Sequence, residues 1–149
     1  MNYISKPLME MKEMVYKSSI EESEILYIEE YGDGRYIAVI RIRGSHPCGY
    51  IWHPFFKDKE YKDEFDIPCE IADVVHWGFT YLGYLGKKYD QIANLDVSGY
   101  GPWVGWDYAH YGDASFDTDG RFYTTEEVVE EGRNAIKAID IYMQNHKEV

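Results

Sequence analysis

Apolar and polar residues alternate along much of this chain in the pattern of a β-rich domain. Residues 25–31 and 36–43 are rich in Ile, Val and Tyr, and Gly32-Asp33-Gly34 lies between them. Glycine tolerates the positive φ angles of a tight turn, so this pattern predicts a β-hairpin with a short loop. In the second strand, Ala38 and Ile40 share one face and Ile37 and Val39 share the other.

Further strands are predicted from later apolar runs. These runs lie at residues 48–52, 74–82 and 103–110. Between the first two, residues 57–64 are charged with mixed signs and are flanked by Pro54 and Pro68. Such a segment is typical of a solvated surface loop.

Two segments have helical spacing. Residues 6–18 carry apolar side chains three and four apart, with Pro7 suited to a first turn, which predicts a short N-terminal helix. Thr124 and Glu127 match a capping box, which predicts the start of a C-terminal helix. Its apolar face consists of Val128, Gly132, Ala135, Ile136, Ile139 and Met143.

These elements predict an α+β fold. We expect a mostly antiparallel sheet packed against the C-terminal helix, with the short N-terminal helix at the periphery. The length of 149 residues and the lack of a linker predict a single domain over residues 1–149. Neither the strand order nor the oligomeric state follows from the pattern.

The chain is acidic. Fifteen Lys and Arg residues against 27 Asp and Glu residues give a net charge of −12. Recognition of nucleic acids and of anionic membranes depends on clustered basic residues, so direct binding to either is not expected. The N-terminal segment lacks a signal-peptide core, and no apolar run reaches the ~18 residues of a membrane span, which predicts a cytoplasmic protein. Cys48 and Cys69 are then expected as reduced thiols.

Polar residues with chemical potential concentrate in three segments beside predicted strands. If these strands are neighbours in the sheet, the side chains meet at one end of it. The predicted ligand-binding residues are His46, Cys48, His76, Thr80, Trp103, Asp107, His110 and Asp113.

The same three segments resemble those of a family of small phage and prophage proteins. They are similar to its HxCGY-like segment at 46–50, its HGGxTY-like segment at 76–81 and its WWxGFDCAHxGD-like segment at 103–113. The chain departs from this pattern at Trp77 in place of Gly, Trp106 in place of Phe and Tyr108 in place of Cys. The last departure speaks against an essential thiol at that position. The resemblance carries no activity with it, but implies a phage accessory protein in the host cytosol, a class that often counters host defence.

The leading functional hypothesis is therefore a polar-aromatic pocket that binds a small, nucleotide-like ligand or a host factor. Histidines, Thr80 and Asp107 would fix the polar edge of such a ligand. Its planar ring would stack on two or three of the aromatic residues, among them Trp52, Trp77, Trp103 and Trp106. A phosphate would be neutralised by Arg41, Arg43 or Arg121.

A metal-dependent hydrolase is one alternative. His46, His76, Asp107 and His110 would hold a divalent ion such as Zn²⁺, Mn²⁺ or Fe²⁺, which lowers the pKa of bound water. Asp107 and His110 are three apart, so they share a site only if the strand ends or bulges near Ala109. In the simpler interpretation, the histidines cap strand ends and the aspartates organise turns.

The sequence leaves three other interpretations open. The acidic surface could imitate nucleic acid and inhibit a nucleic-acid-binding protein of the host, although such charge also simply aids solubility. Cys48 beside His46 could act as a nucleophile, but Pro47 disturbs their shared face. The spacing within residues 115–126 matches a calcium loop, yet a turn followed by a helix cap explains it better.

Overall fold

A computed structural model of the chain describes residues 2–13, 23–42, 46–97, 100–110, 113 and 120–147. It contains one six-stranded antiparallel sheet and a long C-terminal helix, which confirms the predicted α+β class. The strands lie in the order β1-β2-β3-β4-β6-β5. Their bounds are Ser5–Pro7 for β1, Glu24–Tyr31 for β2, Tyr36–Ile42 for β3, His46–Trp52 for β4, Tyr81–Gly83 for β5 and Trp103–Asp107 for β6.

The β2–β3 hairpin confirms the first prediction from the sequence. Gly32 and Gly34 adopt φ angles of 73° and 75°, which side chains rarely allow, and the amide of Tyr31 donates to the carbonyl of Arg35 at 2.8 Å. The alternation along β3 places its two sets of side chains in two different cores, one on each face of the sheet.

Three strand ends lie side by side at one end of the sheet. Strand β6 runs antiparallel to both β4 and β5, with Cys48 opposite Asp107 and Tyr81 opposite Gly105. The end of β6 therefore lies beside the starts of β4 and β5, and we call this the site edge. Gly49 lets Trp106 lie flat on β4, because a Cβ atom there would stand 2.3 Å from the indole.

Helices cover both faces of the sheet. The long helix α3, Thr125–Asn145, buries its apolar residues against one face, and its capping box at Thr124 and Glu127 is confirmed. The predicted apolar face ends at Ile139, because Met143 is 40% exposed. The other face is covered by the 3₁₀ helix Leu85–Lys87 and by α2, Asp90–Ala93. The remaining helices are α1, Cys69–Ala72, and the 3₁₀ helices Pro54–Phe56 and Glu64–Asp66.

The predicted N-terminal helix is wrong over its described part. Residues 5–7 form edge strand β1, and the chain then continues extended alongside β2. The amides of Leu8 and Lys12 donate to the carbonyls of Ile28 and Leu26, each at 2.9 Å. Pairing with an open sheet edge satisfies these backbone groups, which outweighs the weak helical preference of the segment. Residues 14–18 lie outside the described residues.

The predicted strand at 74–82 is also largely wrong. Only its end, in β5, belongs to the sheet, and residues 74–80 form turns after α1. Val75 and Phe79 are buried, which explains the apolar pattern. Trp77 and Gly78 have φ angles of 60° and 76°, so the chain turns here and cannot run as a strand.

A buried ion pair joins α3 to β2. Glu29 is fully buried, and its carboxylate accepts two hydrogen bonds of 2.9 Å from Arg133, one of 2.6 Å from Ser5 and one of 2.9 Å from Tyr27. Burial acts to raise the pKa of Glu29, but these hydrogen bonds outweigh it and hold the pKa below its ordinary value.

A second buried network surrounds His53, which is fully buried. Its Nδ1 accepts from the amide of Phe55 at 3.0 Å, and its Nε2 lies 2.7 Å from Asp140 on α3. An Nδ1 acceptor leaves the ring proton on Nε2, so the ring is neutral and donates to the carboxylate. Arg35 and Tyr3 also donate to Asp140, at 2.9 and 2.6 Å. Burial lowers the pKa of His53 to about 4.

The cysteines and the helices bear on two other expectations. Cys48 is buried, Cys69 is exposed, and both are free thiols. Within the described ranges, no helix combines the length and the apolar character needed to cross a membrane.

Candidate functional site

The site edge brings the three polar segments together. We call His46, His76, Asp107, His110 and Asp113 the His–Asp cluster. Strand β6 ends at Asp107, and the chain then turns, with the amide of Ala109 donating to Asp107 at 3.2 Å. This turn returns His110 to Asp107 despite their odd spacing, as the sequence required for a shared site.

The first pair of the cluster is His76 with Asp113. Nε2 of His76 lies 2.9 Å from both carboxylate oxygens, and the amide of His110 donates to the same carboxylate at 3.0 Å. The side chain of Asp113 is 3% exposed, whereas that of His76 is 16% exposed. The carboxylate thus lies behind the imidazole and holds it toward the surface.

The second pair is His110 with Asp107. Nε2 of His110 is enclosed and lies 2.8 Å from Oδ1 of Asp107, at an ion-pair distance but off the line of a hydrogen bond. The other oxygen of Asp107 accepts from the hydroxyl of Thr80 at 3.1 Å. The His76 and His110 ring centroids are 6.0 Å apart, so two imidazoles with carboxylate partners stand side by side.

His46 is the third imidazole of the cluster. It starts β4, and it lies close enough to Asp107, Asp113 and His110 for their charges to act on it. Partial burial lowers the pKa of His46 below its ordinary value, although the two aspartates act to raise it. Near neutral pH it therefore contributes an uncharged ring.

Aromatic residues and helix α3 fix His76 from behind. Its ring stacks on Tyr108 with centroids 4.8 Å apart and also contacts Tyr123 at 5.0 Å. The hydroxyl of Tyr108 accepts from the indole N–H of Trp106 at 2.9 Å and donates to Glu131 of α3, which also accepts from the amide of His76. Burial and the neighbouring Glu131 raise the pKa of Tyr108, which keeps this donor protonated.

Trp77 forms an exposed aromatic surface beside the cluster. It is 62% exposed, whereas Trp52, Trp103 and Trp106 are 3%, 0% and 1% exposed. Its indole stacks on His110 with centroids 4.9 Å apart and planes 10° apart. The backbone of Trp77 has a left-handed conformation, which glycine adopts freely. Glycine is the residue at this position in the motif that the chain resembles.

A matched pair of variants tests whether the backbone at Trp77 is strained. W77G and W77A both remove the indole, but only glycine relieves the positive φ. We expect W77G to be more stable than W77A by about 1 kcal/mol in urea unfolding. Equal stability of the two variants would contradict strain at this position, because glycine normally adds flexibility to the unfolded chain.

Several residues predicted to contact a ligand are buried or are paired with other residues. Trp103 is at the opposite end of β6 and is fully buried, so it cannot be a ligand contact. Trp52 and Trp106 are core residues for the same reason. Cys48 is buried opposite Asp107, and burial raises the pKa of its thiol to about 12, which excludes an activated nucleophile. Arg41 is paired with Glu24 at 3.4 Å.

The predicted metal set does not form a common ligand sphere. His76 and His110 each direct Nε2 to a separate aspartate. Across the described residues, no group of three or more His, Cys, Asp or Glu side chains is placed to hold a metal ion. The first pair is hydrogen-bonded, and the second is held at an ion-pair distance. Arg43 and residues 115–119 of the proposed calcium loop lie outside the described residues.

Three residues of the site carried no distinctive signal in the sequence. Glu131 is one of four glutamates in the first turns of α3, and only the packing of the helix selects it. Tyr108 stands out only as a departure from the resembled motif. Tyr123 precedes α3 without any motif, and its ring packs on Tyr108 with centroids 4.4 Å apart.

Comparisons of the chain with protein-family models, with curated proteins and with solved structures gave no match. A function for this protein is therefore inferred from the side chains of the site itself.

Proposed function

We propose that this protein binds a small, planar, nucleotide-like ligand at the His–Asp cluster, with the ring of the ligand on Trp77. The observation that supports this proposal is Trp77, whose indole is exposed and whose backbone has a positive φ. One indole face packs on His110, which fixes the orientation of the ring and leaves the other face for a ligand. A non-glycine residue held in a left-handed backbone conformation is typical of a functional site.

The polar groups beside Trp77 suit the hydrogen-bonding edge of a nucleotide. The partly exposed rings of His76 and His110 offer imidazole nitrogens within one small area, and His46 lies beside them. Arg121 lies 4.5 Å above the ring of Tyr123, which in turn contacts His76, and it stands at the same rim in an ion pair with Glu127. Such a mixture of one stacking surface with convergent polar groups is common in small-ligand sites.

A role as a phage accessory protein that counters host defence is part of the same proposal. It is supported by the resemblance of the three motifs, all of which contribute side chains to this cluster. Binding of a nucleotide-like host signal would sequester that signal. The net charge of −12 opposes binding of long polyanionic nucleic acids, which favours a small ligand over DNA or RNA.

Intrinsic fluorescence provides the test, because the other three tryptophans are buried and Trp77 dominates the solvent-sensitive signal. A panel of mononucleotides and dinucleotides is titrated into the protein, and native mass spectrometry of freshly purified protein shows whether a ligand is retained. We expect quenching by at least one nucleotide. W77A lacks the fluorescent reporter, so its affinity is measured by isothermal titration calorimetry and should be about tenfold lower, since stacking contributes roughly 1–3 kcal/mol per base. F65A is the control, because Phe65 is 84% exposed on the 3₁₀ helix Glu64–Asp66. An empty protein that binds no member of the panel would refute the proposal.

A further inference from the structure

Two of the three imidazoles of the cluster, those of His76 and His110, have the same nitrogen next to an aspartate. His76 and His110 both direct Nε2 to an aspartate, so Nδ1 is the nitrogen that remains for a substrate. Within the described part of the chain, no hydrogen bond involves Nδ1 of either ring. Asp113 accepts a hydrogen bond from Nε2–H of His76, and Asp107 lies at an ion-pair distance from Nε2 of His110. With the ring proton on Nε2, Nδ1 is a base in the neutral ring and an acid in the charged ring.

We propose that His76 and His110 form an acid–base couple that needs no metal ion and cleaves a phosphodiester beside a free 2′-hydroxyl in a small ribonucleotide. This inference rests on the proposed function, because the nucleotide must first lie on Trp77. Asp113 and Asp107 are positioning residues in this reaction, since each contacts an imidazole and not the substrate.

The spacing of the two rings fits one reacting group between them. Their centroids are 6.0 Å apart, and their planes are inclined by 57°. A hydrogen bond reaches about 3 Å from each nitrogen, so one ring can contact a 2′-hydroxyl while the other contacts the 5′-oxygen of the same phosphodiester. Stacking on Tyr108 and on Trp77 holds the two rings in these orientations before substrate arrives.

The cluster moves protons but offers no activated nucleophile of its own. The thiol of Cys48 is buried, and the hydroxyl of Thr80 donates to Asp107 instead of to an imidazole. A substrate that carries its own hydroxyl next to the phosphorus requires only a base and an acid. This requirement selects a ribonucleotide over a deoxyribonucleotide.

Atoms and charges balance without a co-reactant. One neutral imidazole accepts the proton of the 2′-hydroxyl as its oxygen forms a bond to phosphorus. The bond from phosphorus to the 5′-oxygen breaks, and that oxygen keeps the electron pair and takes a proton from the other, charged imidazole. The products are a 2′,3′-cyclic phosphate and a free 5′-hydroxyl, and exchange with water restores both rings.

The test uses ribodinucleoside monophosphates with all four bases at both positions, and the matched 2′-deoxy compounds, in the presence of EDTA. Chromatography with mass spectrometry detects the cyclic phosphate. We expect cleavage of at least one ribonucleotide and none of its deoxy counterpart. H76N and H110N are expected to reduce the rate at least 100-fold, within the usual contribution of a general acid or base. H146N is the matched control, since His146 stacks on Tyr142 at the far end of α3 and should leave the rate unchanged.

The positioning role is tested separately with D107N and D113N. These variants should lower kcat with little change in KM, whereas general loss of folding would also abolish quenching of Trp77. D107N is the more informative of the two, because Asp107 is partly exposed and its replacement threatens the fold less.

Each outcome separates the two proposals. Quenching of Trp77 without cleavage overturns the acid–base couple and leaves ligand binding intact. Absence of both overturns both proposals. Cleavage that persists in folded H76N and H110N, or that occurs equally with 2′-deoxy compounds, also overturns the acid–base couple.

Discussion

Replacement of Arg133 by methionine is expected to lower the free energy of unfolding by about 3–5 kcal/mol, because it leaves the fully buried Glu29 carboxylate without its cation. Domains of this size are stable by only about 5–15 kcal/mol, so such a loss removes a large share. Ser5 and Tyr27 still donate to Glu29 in this variant, but neutral donors do not balance a buried charge. Urea unfolding at pH 7 measures the change.

Two further variants make this prediction specific. R121M removes an arginine from an exposed ion pair with Glu127, so it should change the unfolding free energy by less than about 1 kcal/mol. E29Q combined with R133M removes the buried charge itself and should recover part of the loss. A cost for R133M no larger than that for R121M would mean that the buried pair contributes little.

The second large effect is an acid-sensitive fold, governed by His53. The unfolded chain protonates this ring below its ordinary pKa of 6.5, whereas in the folded protein burial lowers the pKa to about 4. Between these two values the unfolded state binds more protons, so stability falls as the pH falls. The loss is about 1.4 kcal/mol per pH unit and roughly 3 kcal/mol over the whole window.

Unfolding in urea at pH 6.5 and at pH 5 isolates this effect. The lowered pKa values of Glu29 and Asp140 give stability that is present above their ordinary values and is lost only at more acidic pH. We expect about 2 kcal/mol less stability at pH 5, and a smaller difference in H53Q, whose amide still donates to Asp140. H46Q separates the contribution of His46, because the pKa of His46 is also lowered and acts in the same direction. Equal stability of the wild type at both pH values would contradict the buried neutral ring.

Local signals predicted the elements that depend on local physics. Two glycines at positive φ define the β2–β3 hairpin, and a reciprocal cap defines the start of α3. The helix predicted over residues 6–13 is wrong because the backbone there pairs with the open edge of β2. The spacing of residues along the chain does not reveal this partner. The strand predicted over residues 74–80 is wrong because the buried side chains there belong to turns. The chain reverses at Trp77, and a pattern of apolar residues does not reveal such a reversal.

The sequence predicted the histidines and aspartates of the His–Asp cluster, but it did not predict the residues that hold them in place. His76 and His110 stood out because they flank strands within motifs. Their partners depended on the placement of β6 between β4 and β5, and strand order is a tertiary property. Trp103 was predicted to contact a ligand for a related reason. Tryptophan occurs both in cores and in binding surfaces, and only its burial in the structure distinguishes the two.

The sheet is bordered on both sides by strands of three residues, β1 and β5. Lys6 and Pro7 stand on the first of these borders, where a bulky charge and a missing amide proton hinder the docking of a foreign strand. Strand β1 thereby covers part of the longer strand β2, which is rich in β-branched and aromatic side chains, and hinders its pairing with β2 of another molecule. The short, blocked border strand thus protects the sheet against fibril formation through edge-to-edge pairing.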